Sequence, residues 1–206
     1  MNLSDTERNT LTERTARLEA RTGVQIVAAV VGKCDAYPEI PWKAFALCSG
    51  LAFLATMLWH PDAVLGGLTF LGTGAAAALA SIFLPAFARL FIDAARREAE
   101  TRQYAASFFL AHDLSRTQGR NGILILVGVF ERTVVILPDS GIRDRIAETE
   151  LQEVIARMTP LLAAGRIAPA LRDGLDALEA LLAARGFSGG AGADEIAQEV
   201  FEEKGA

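Results

Sequence analysis

The chain has 206 residues, of which 51% are hydrophobic, with a mean hydropathy of +0.29 and a net charge of −5. A mildly acidic chain lacks the basic footprint that binding to nucleic acid requires, so that class of partner is excluded. Two cysteines and two isolated histidines make neither a disulfide framework nor a zinc site, and no metal is expected.

The opening residues MNLSDTERNTLTERT carry no basic n-region and no apolar h-region, so no signal peptide is expected. Ser4-Asp5-Thr6-Glu7 fits a capping box. It predicts a helix over residues 5–21 with a thin apolar stripe at Leu11 and Leu18, closed by Gly23 as a left-handed cap. VQIVAAVV, residues 24–31, is an almost continuous apolar run rich in β-branched side chains. That is the pattern of a central strand covered on both faces.

From Lys43 to Arg89 the only other residues of charged type are His60 and Asp62. The runs 44–59 and 63–88 are each near the roughly 20 residues a helix needs to cross a bilayer core. His60-Pro61-Asp62 allows only a tight reversal. The spacing predicts a transmembrane helical hairpin. Trp42 and Trp59 bracket the first span at the headgroup level, and Lys43 snorkels from its edge. Small residues at Ala46 and Gly50, and at Gly72, Ala76 and Ala80, suit close helix packing or a homo-oligomer face.

After Arg89 a helix is expected to run on to about residue 116, with Tyr104, Phe108 and Ala111 toward a sheet. Residues 122–130 and 133–137 read as two strands joined by a two-residue turn at Glu131-Arg132. Helices are expected over 144–164 and 169–185, the second with Leu171, Leu175, Leu178 and Leu182 on one stripe. Residues 186–206 are Gly-rich and then acidic, and read as disordered. The fold class is therefore α/β: a small mixed β-sheet flanked by helices, with the two-helix hairpin inserted in the first crossover, which favours a parallel pair. The domain limits are 1–42 and 90–185 for the α/β domain, 43–89 for the hairpin and 186–206 for the tail.

Thr22-Gly23-Val24-Gln25-Ile26-Val27, the run from Arg116-Thr117-Gln118-Gly119-Arg120-Asn121-Gly122 through Phe130-Glu131-Arg132-Thr133, and Asp139-Ser140-Gly141-Ile142 resemble the TPM domain. Asp194-Glu195-Ile196 is similar to the acidic C-terminal motif of a bacterial branch that carries a comparable hydrophobic insert. The resemblance implies a mixed sheet between helices. It also implies one of three activities: acid phosphatase, calcium binding, or assistance to membrane complexes. Calcium enters by that resemblance alone; no other cofactor is expected.

Parallel first and second strands put Asp35 at one end of the sheet and Asp139 at the other, so the two cannot share a metal or a proton. The best polar cluster is Arg120, Asn121, Asp139 and Asp144. The chain shows no nucleophile motif, P-loop or dinucleotide fingerprint. The function expected is a membrane-tethered interaction module for assembly, repair or quality control of membrane complexes, rather than an enzyme. The alternative is a weak metal-dependent phosphatase. Lys33, Lys43, Arg89, Arg96, Arg97 and Arg102 flank the hairpin, and its connecting loop has no Lys or Arg. That asymmetry places the termini and the α/β domain in the cytoplasm of an inner-membrane protein. Arg96 and Arg97 are expected at anionic headgroups. The end of the sheet with Asp35 is expected to face the lipid, leaving the Asn121–Asp139 end for protein partners.

Overall fold

The structure is a computed structural model describing residues 3–59, 62–117, 119–189 and 200–206. The chain forms two compact units, one made of Met1–Asp35 with Glu98–Ala206, the other of Ala36–Arg97.

The first unit begins with helix α1, Asp5–Thr22. Ser4 and Glu7 close the capping box at its start, and Gly23 ends it at φ 71°. Strand β1, Gln25–Val31, follows and is buried along its whole length. Strand β2, Gly122–Gly128, lies parallel to it, with Gln25 opposite Gly122 and Val31 opposite Gly128. Strand β3, Thr133–Pro138, returns antiparallel to β2. The loop between them is four residues, 129–132, with Arg132 at φ 54°, rather than the expected two-residue turn. Neither Glu131 nor Arg132 is Gly or Asn, which a two-residue turn with positive φ at both positions favours.

Helices α6, Ser140–Arg143, α7, Glu148–Ala163, and α8, Ile167–Ala184, complete this part. A helix was expected from 144 to 164; α7 begins four residues later, after short α6 and a turn through Ile146, which is buried. Strands expose alternate side chains to opposite faces. Ile26, Ala28, Val30, Ile123, Ile125 and Val127 therefore meet α1, α7 and α8, where Leu171, Leu175, Leu178 and Leu182 are fully buried. Val27, Ala29, Val31, Leu124 and Leu126 meet Ala105 and Phe108 on the opposite face. Those two residues lie on helix α5, Ala94–Ala111. Ala111 and Leu110 turn to solvent instead of the sheet, and Thr101 takes the buried position one turn earlier than Tyr104.

A fourth strand, β4, Phe201–Glu203, lies parallel to β1, giving the sheet order β3-β2-β1-β4. The expected disorder of the tail does not hold there. Two adjacent glutamates suggest solvent, but each finds donors across the fold, as detailed below. Residues 190–199, with Asp194-Glu195-Ile196, lie outside the described residues.

The second unit holds helices α2, Glu39–Trp59, and α3, Ala63–Phe83, each 21 residues long. They run antiparallel. Gly74 meets Phe45, Gly66 meets Met57 and Phe53, and Thr56 Oγ1 lies 3.0 Å from Thr69 Oγ1. The helix contact thus uses Gly66, Gly74, Ala77 and Ser81, whereas Gly72 and Ala76 point outward. Asp62 caps α3 by accepting from the Val64 and Leu65 N–H groups; His60 and Pro61 lie outside the described residues. Helix α3 stops at Leu84, which is extended because Pro85 follows it. Short α4, Pro85–Ala88, and a 3-10 turn, Arg89–Phe91, come next. The expected unbroken helix past Arg89 is interrupted at Ile92 (φ −115°), and Asp93 starts α5 by accepting from the Arg96 N–H at 2.8 Å.

Candidate functional site

At the amino end of β1 and β2, the chain brings together most of the expected polar cluster. Asn121 Nδ2 donates to the Gly23 carbonyl at 2.6 Å, and its own carbonyl accepts from Gln25 N–H at 3.1 Å. Asn121 therefore ties the end of α1 to the start of β2. Arg120, at φ 46°, turns the loop so that its carbonyl accepts from Gly141 N–H at 3.0 Å. A Cβ at Gly141 would lie 2.5 Å from the Gly119 carbonyl oxygen, so the two loops pack backbone to backbone.

Asp139 is 5% exposed. Its Oδ1 accepts from Ser140 N–H at 2.6 Å, capping α6, and lies 4.0 Å from Arg120 Nη1. Its Oδ2 is buried without a hydrogen-bond partner among the described residues. Asp144 does not join the cluster: it is exposed at the C-cap of α6. The strand register puts Asp35 past the opposite end of the sheet from Asp139.

That opposite end holds a second polar group which the sequence reading missed. Glu131 is fully buried, and its Oε1 accepts from Cys34 N–H at 2.9 Å. The carboxylate fits because residue 128 is glycine: a Cβ there would lie 2.7 Å from Glu131 Oε2. Burial, and then the neighbouring Glu131 charge, push the Cys34 thiol well above the usual thiol range. Tyr104 Oη donates to Glu203 Oε2 at 2.5 Å, and burial and this carboxylate raise the phenol. His112 Nε2 lies 3.8 Å from Glu203 Oε1. The signal available in the sequence was a carboxylate embedded in apolar neighbours, as in Val-Phe-Glu and Phe-Glu-Glu.

Among the described residues no group of three or more His, Cys, Asp or Glu could hold a metal ion. An open groove of about 420 Å³ between α1 and α8 is lined by Thr10, Arg14, Arg17, Arg172 and Asp176. Its central cation is spent: Arg14 pairs with both Asp176 and Glu179.

The family model for the TPM domain matches residues 88–181. Over those residues the chain is similar to the TPM domain. The matched residues include Arg120, Asn121, Asp139, Asp144 and Glu131, so both polar ends of the sheet draw on the matched segment. The BA42 protein of the psychrophilic bacterium Bizionia argentinensis is similar in fold, with 16% identity over 98% of this chain and 96% of that one, at a TM-score of 0.61. The N-terminal domain of a P. gingivalis protein aligns with 13% identity over 92% of this chain and 83% of that one, at a TM-score of 0.49. No curated protein matches.

In the helical unit the expected interface residues fall as follows. Trp42 and Trp59 are largely exposed at the two ends of α2. Lys43 Nζ donates to the Phe91 carbonyl at 3.4 Å. Arg89 is half-buried in the 3-10 turn. Arg96 pairs with Glu39 at 3.2 Å and lies over the Tyr37 ring, so part of its charge is already used within the unit. Arg97 N–H donates to Asp93 in the first turn of α5.

Proposed function

We propose that this protein is a membrane-tethered TPM interaction module that assists assembly, repair or quality control of membrane protein complexes. Its α/β unit and termini lie on the cytoplasmic side of the inner membrane. One observation carries the reading. Helices α2 and α3 are long and apolar enough to cross a bilayer, yet only 17% of each apolar window is buried. A soluble core would cover them; here Leu47, Leu51, Leu54, Leu58, Leu68, Leu71 and Leu79 face outward, which is costly unless lipid is the solvent. The domain side agrees. Asn121, Arg120 and Asp139 serve as strand ties and a helix cap, which leaves them building the fold.

The phosphatase reading has one observation in its favour, the buried Asp139 Oδ2 without a described partner. Three measurements on the intact protein decide between the readings. Membranes washed with alkaline carbonate should retain it, and cross-linking there should capture membrane-complex subunits reproducibly. Release by carbonate would refute the tether. Robust hydrolysis of a generic phosphate ester, stimulated by calcium or magnesium and lost in Asp139→Asn protein that still folds, would replace the interaction reading with the enzymatic one.

A further inference from the structure

Strand β4 is held at the sheet edge much as a peptide is held in a groove. It has three residues, all half-buried, against seven fully buried residues in β2.

Phe201, Glu202 and Glu203 each meet a partner of matching chemistry. Phe201 packs with its ring 5.6 Å from Phe108 and 4.8 Å from His112. Glu203, on the same face, accepts from Tyr104 and lies beside His112. Glu202 points the other way, where Leu3 N–H and the Arg8 guanidinium each donate to it at 2.7 Å. The Glu203 carbonyl accepts from Gly32 N–H at 2.8 Å, and the Lys33 carbonyl accepts from Ala206 N–H at 3.0 Å.

The groove also has a floor and a closed end. A Cβ at Gly32 would lie 2.6 Å from the Lys204 carbonyl oxygen, so the glycine admits the strand's backbone. At the amino end of the same edge, Glu19 Oε1 takes the Ile26 N–H at 2.7 Å and stops further pairing. Main-chain bonds for affinity and alternate side-chain pockets for selectivity are the parts of a strand-addition site.

We propose that the β1 edge is a strand-docking groove, filled at rest by the chain's own tail. In the tail's place it receives an extended partner segment with an aromatic residue followed by two carboxylates. The inference rests on the interaction-module reading and deepens it by naming the surface and the partner's chemistry. Because the tail belongs to the same chain, an entering segment competes with an intramolecular occupant. The tail therefore sets a threshold, and a partner enters when it binds better than that or when the tail is weakened.

The probe is a labelled Val-Phe-Glu-Glu-Lys-Gly-Ala peptide, titrated by fluorescence anisotropy against the intact protein in detergent. Phe201→Ala, Glu202→Ala and Glu203→Ala together weaken the tail and leave the groove unchanged. The triple variant should bind the peptide at least tenfold more tightly than wild type. Adding Arg8→Glu or Tyr104→Phe should weaken that binding, and a peptide with arginine for both glutamates should not bind.

A folded triple variant that ignores the peptide at about 1 mM, the scale of an intramolecular competitor, overturns the proposal. Hydrogen exchange on wild type tests it without any variant: Gly32 N–H should exchange by local opening, well before the central amides of β2. Exchange of Gly32 only together with those amides would make β4 an integral strand and sink the idea. A concentration-dependent dimer that the peptide dissolves would reassign the occupant to a second copy's tail, also against the proposal. Partners cross-linked in membranes equally by wild type and Arg8→Glu protein would keep the interaction reading and overturn the groove.

Discussion

Asp139→Asn and Gly141→Ala lie two residues apart and should behave oppositely. In Asp139→Asn an acceptor oxygen remains for Ser140 N–H, the bond that caps α6. Asn caps about as well as Asp, so the usual cap contribution of roughly 0.5–2 kcal/mol survives. The Arg120 pair is lost, but at 4.0 Å with Arg120 largely exposed such a pair is worth about 0–1 kcal/mol. The net change should stay within about 1 kcal/mol.

Gly141→Ala instead drives a Cβ to 2.5 Å from the Gly119 carbonyl oxygen and 2.7 Å from that of Arg120. Both obstacles are backbone, so no rotamer change relieves them. Overpacking costs about 1–3 kcal/mol, and moving the loop forfeits the Gly141–Arg120 hydrogen bond, about 0.5–1.5 kcal/mol more. The expected loss is about 1.5–4.5 kcal/mol. Urea unfolding in detergent, followed by far-UV circular dichroism, reads both, because the apolar hairpin stays helical and the transition reports the α/β unit. A loss of 3 kcal/mol or more in Asp139→Asn would refute the reasoning, since it would mean that the carboxylate's charge, and not its capping oxygen, is what the loop is built around.

Leu178→Ala, at a fully buried position on the α8 face, should cost about 2–5 kcal/mol in the same urea experiment. Glu179 is held below its ordinary 4.5 chiefly by hydrogen bonds from Arg14, with Arg21 also contributing. Its folded pKa is depressed, so its contribution to stability is full above pH 4.5 and is lost as pH falls through the lowered folded value. Glu179→Gln should therefore flatten the acid limb of a stability–pH profile, and an unchanged limb would count against the α1–α8 ion pairs. The buried, raised Cys34 thiol should resist alkylation at pH 8 in the folded protein and react fully once unfolded; rapid native labelling would show that this end opens. A periplasmic phosphatase reporter fused after Ala206 should be inactive, and an active one would reverse the proposed topology.

Much of the fold was legible because its signals are local. Ser4 and Glu7 are three residues apart and form the predicted capping box; Gly23 takes the predicted left-handed conformation. The four leucines of α8 repeat on the helical period and are all buried. Asp62, in the expected reversal, caps the helix that follows it. Even the separation of Asp35 from Asp139 followed from strand direction alone, and the parallel register of β1 and β2 agrees with it. The break at Ile92 was less legible, because it depends on Asp93 choosing to cap a new helix over continuing the old one, and the two choices differ by little in any local window.

The carboxylates were illegible for a deeper reason. Glu131 looked like a turn residue and Glu202-Glu203 like a solvated tail, since a carboxylate leaves water only when donors replace it. Those donors come from remote parts of the chain. Cys34 N–H serves Glu131 from 97 residues away, Arg8 serves Glu202 from 194, and Tyr104 serves Glu203 from 99. No periodicity encodes such a pairing. What the sequence does carry is the apolar residue directly before Glu131 and before Glu202, namely Phe130 and Phe201, each of which packs in the fold. On β4, alternation along the strand turns Glu202 to the face opposite Phe201, where Leu3 and Arg8 supply its donors. At the β1 edge, Phe201 and Glu203 on one face and Glu202 on the other each meet a matching partner, the pattern from which the proposed groove would take its selectivity.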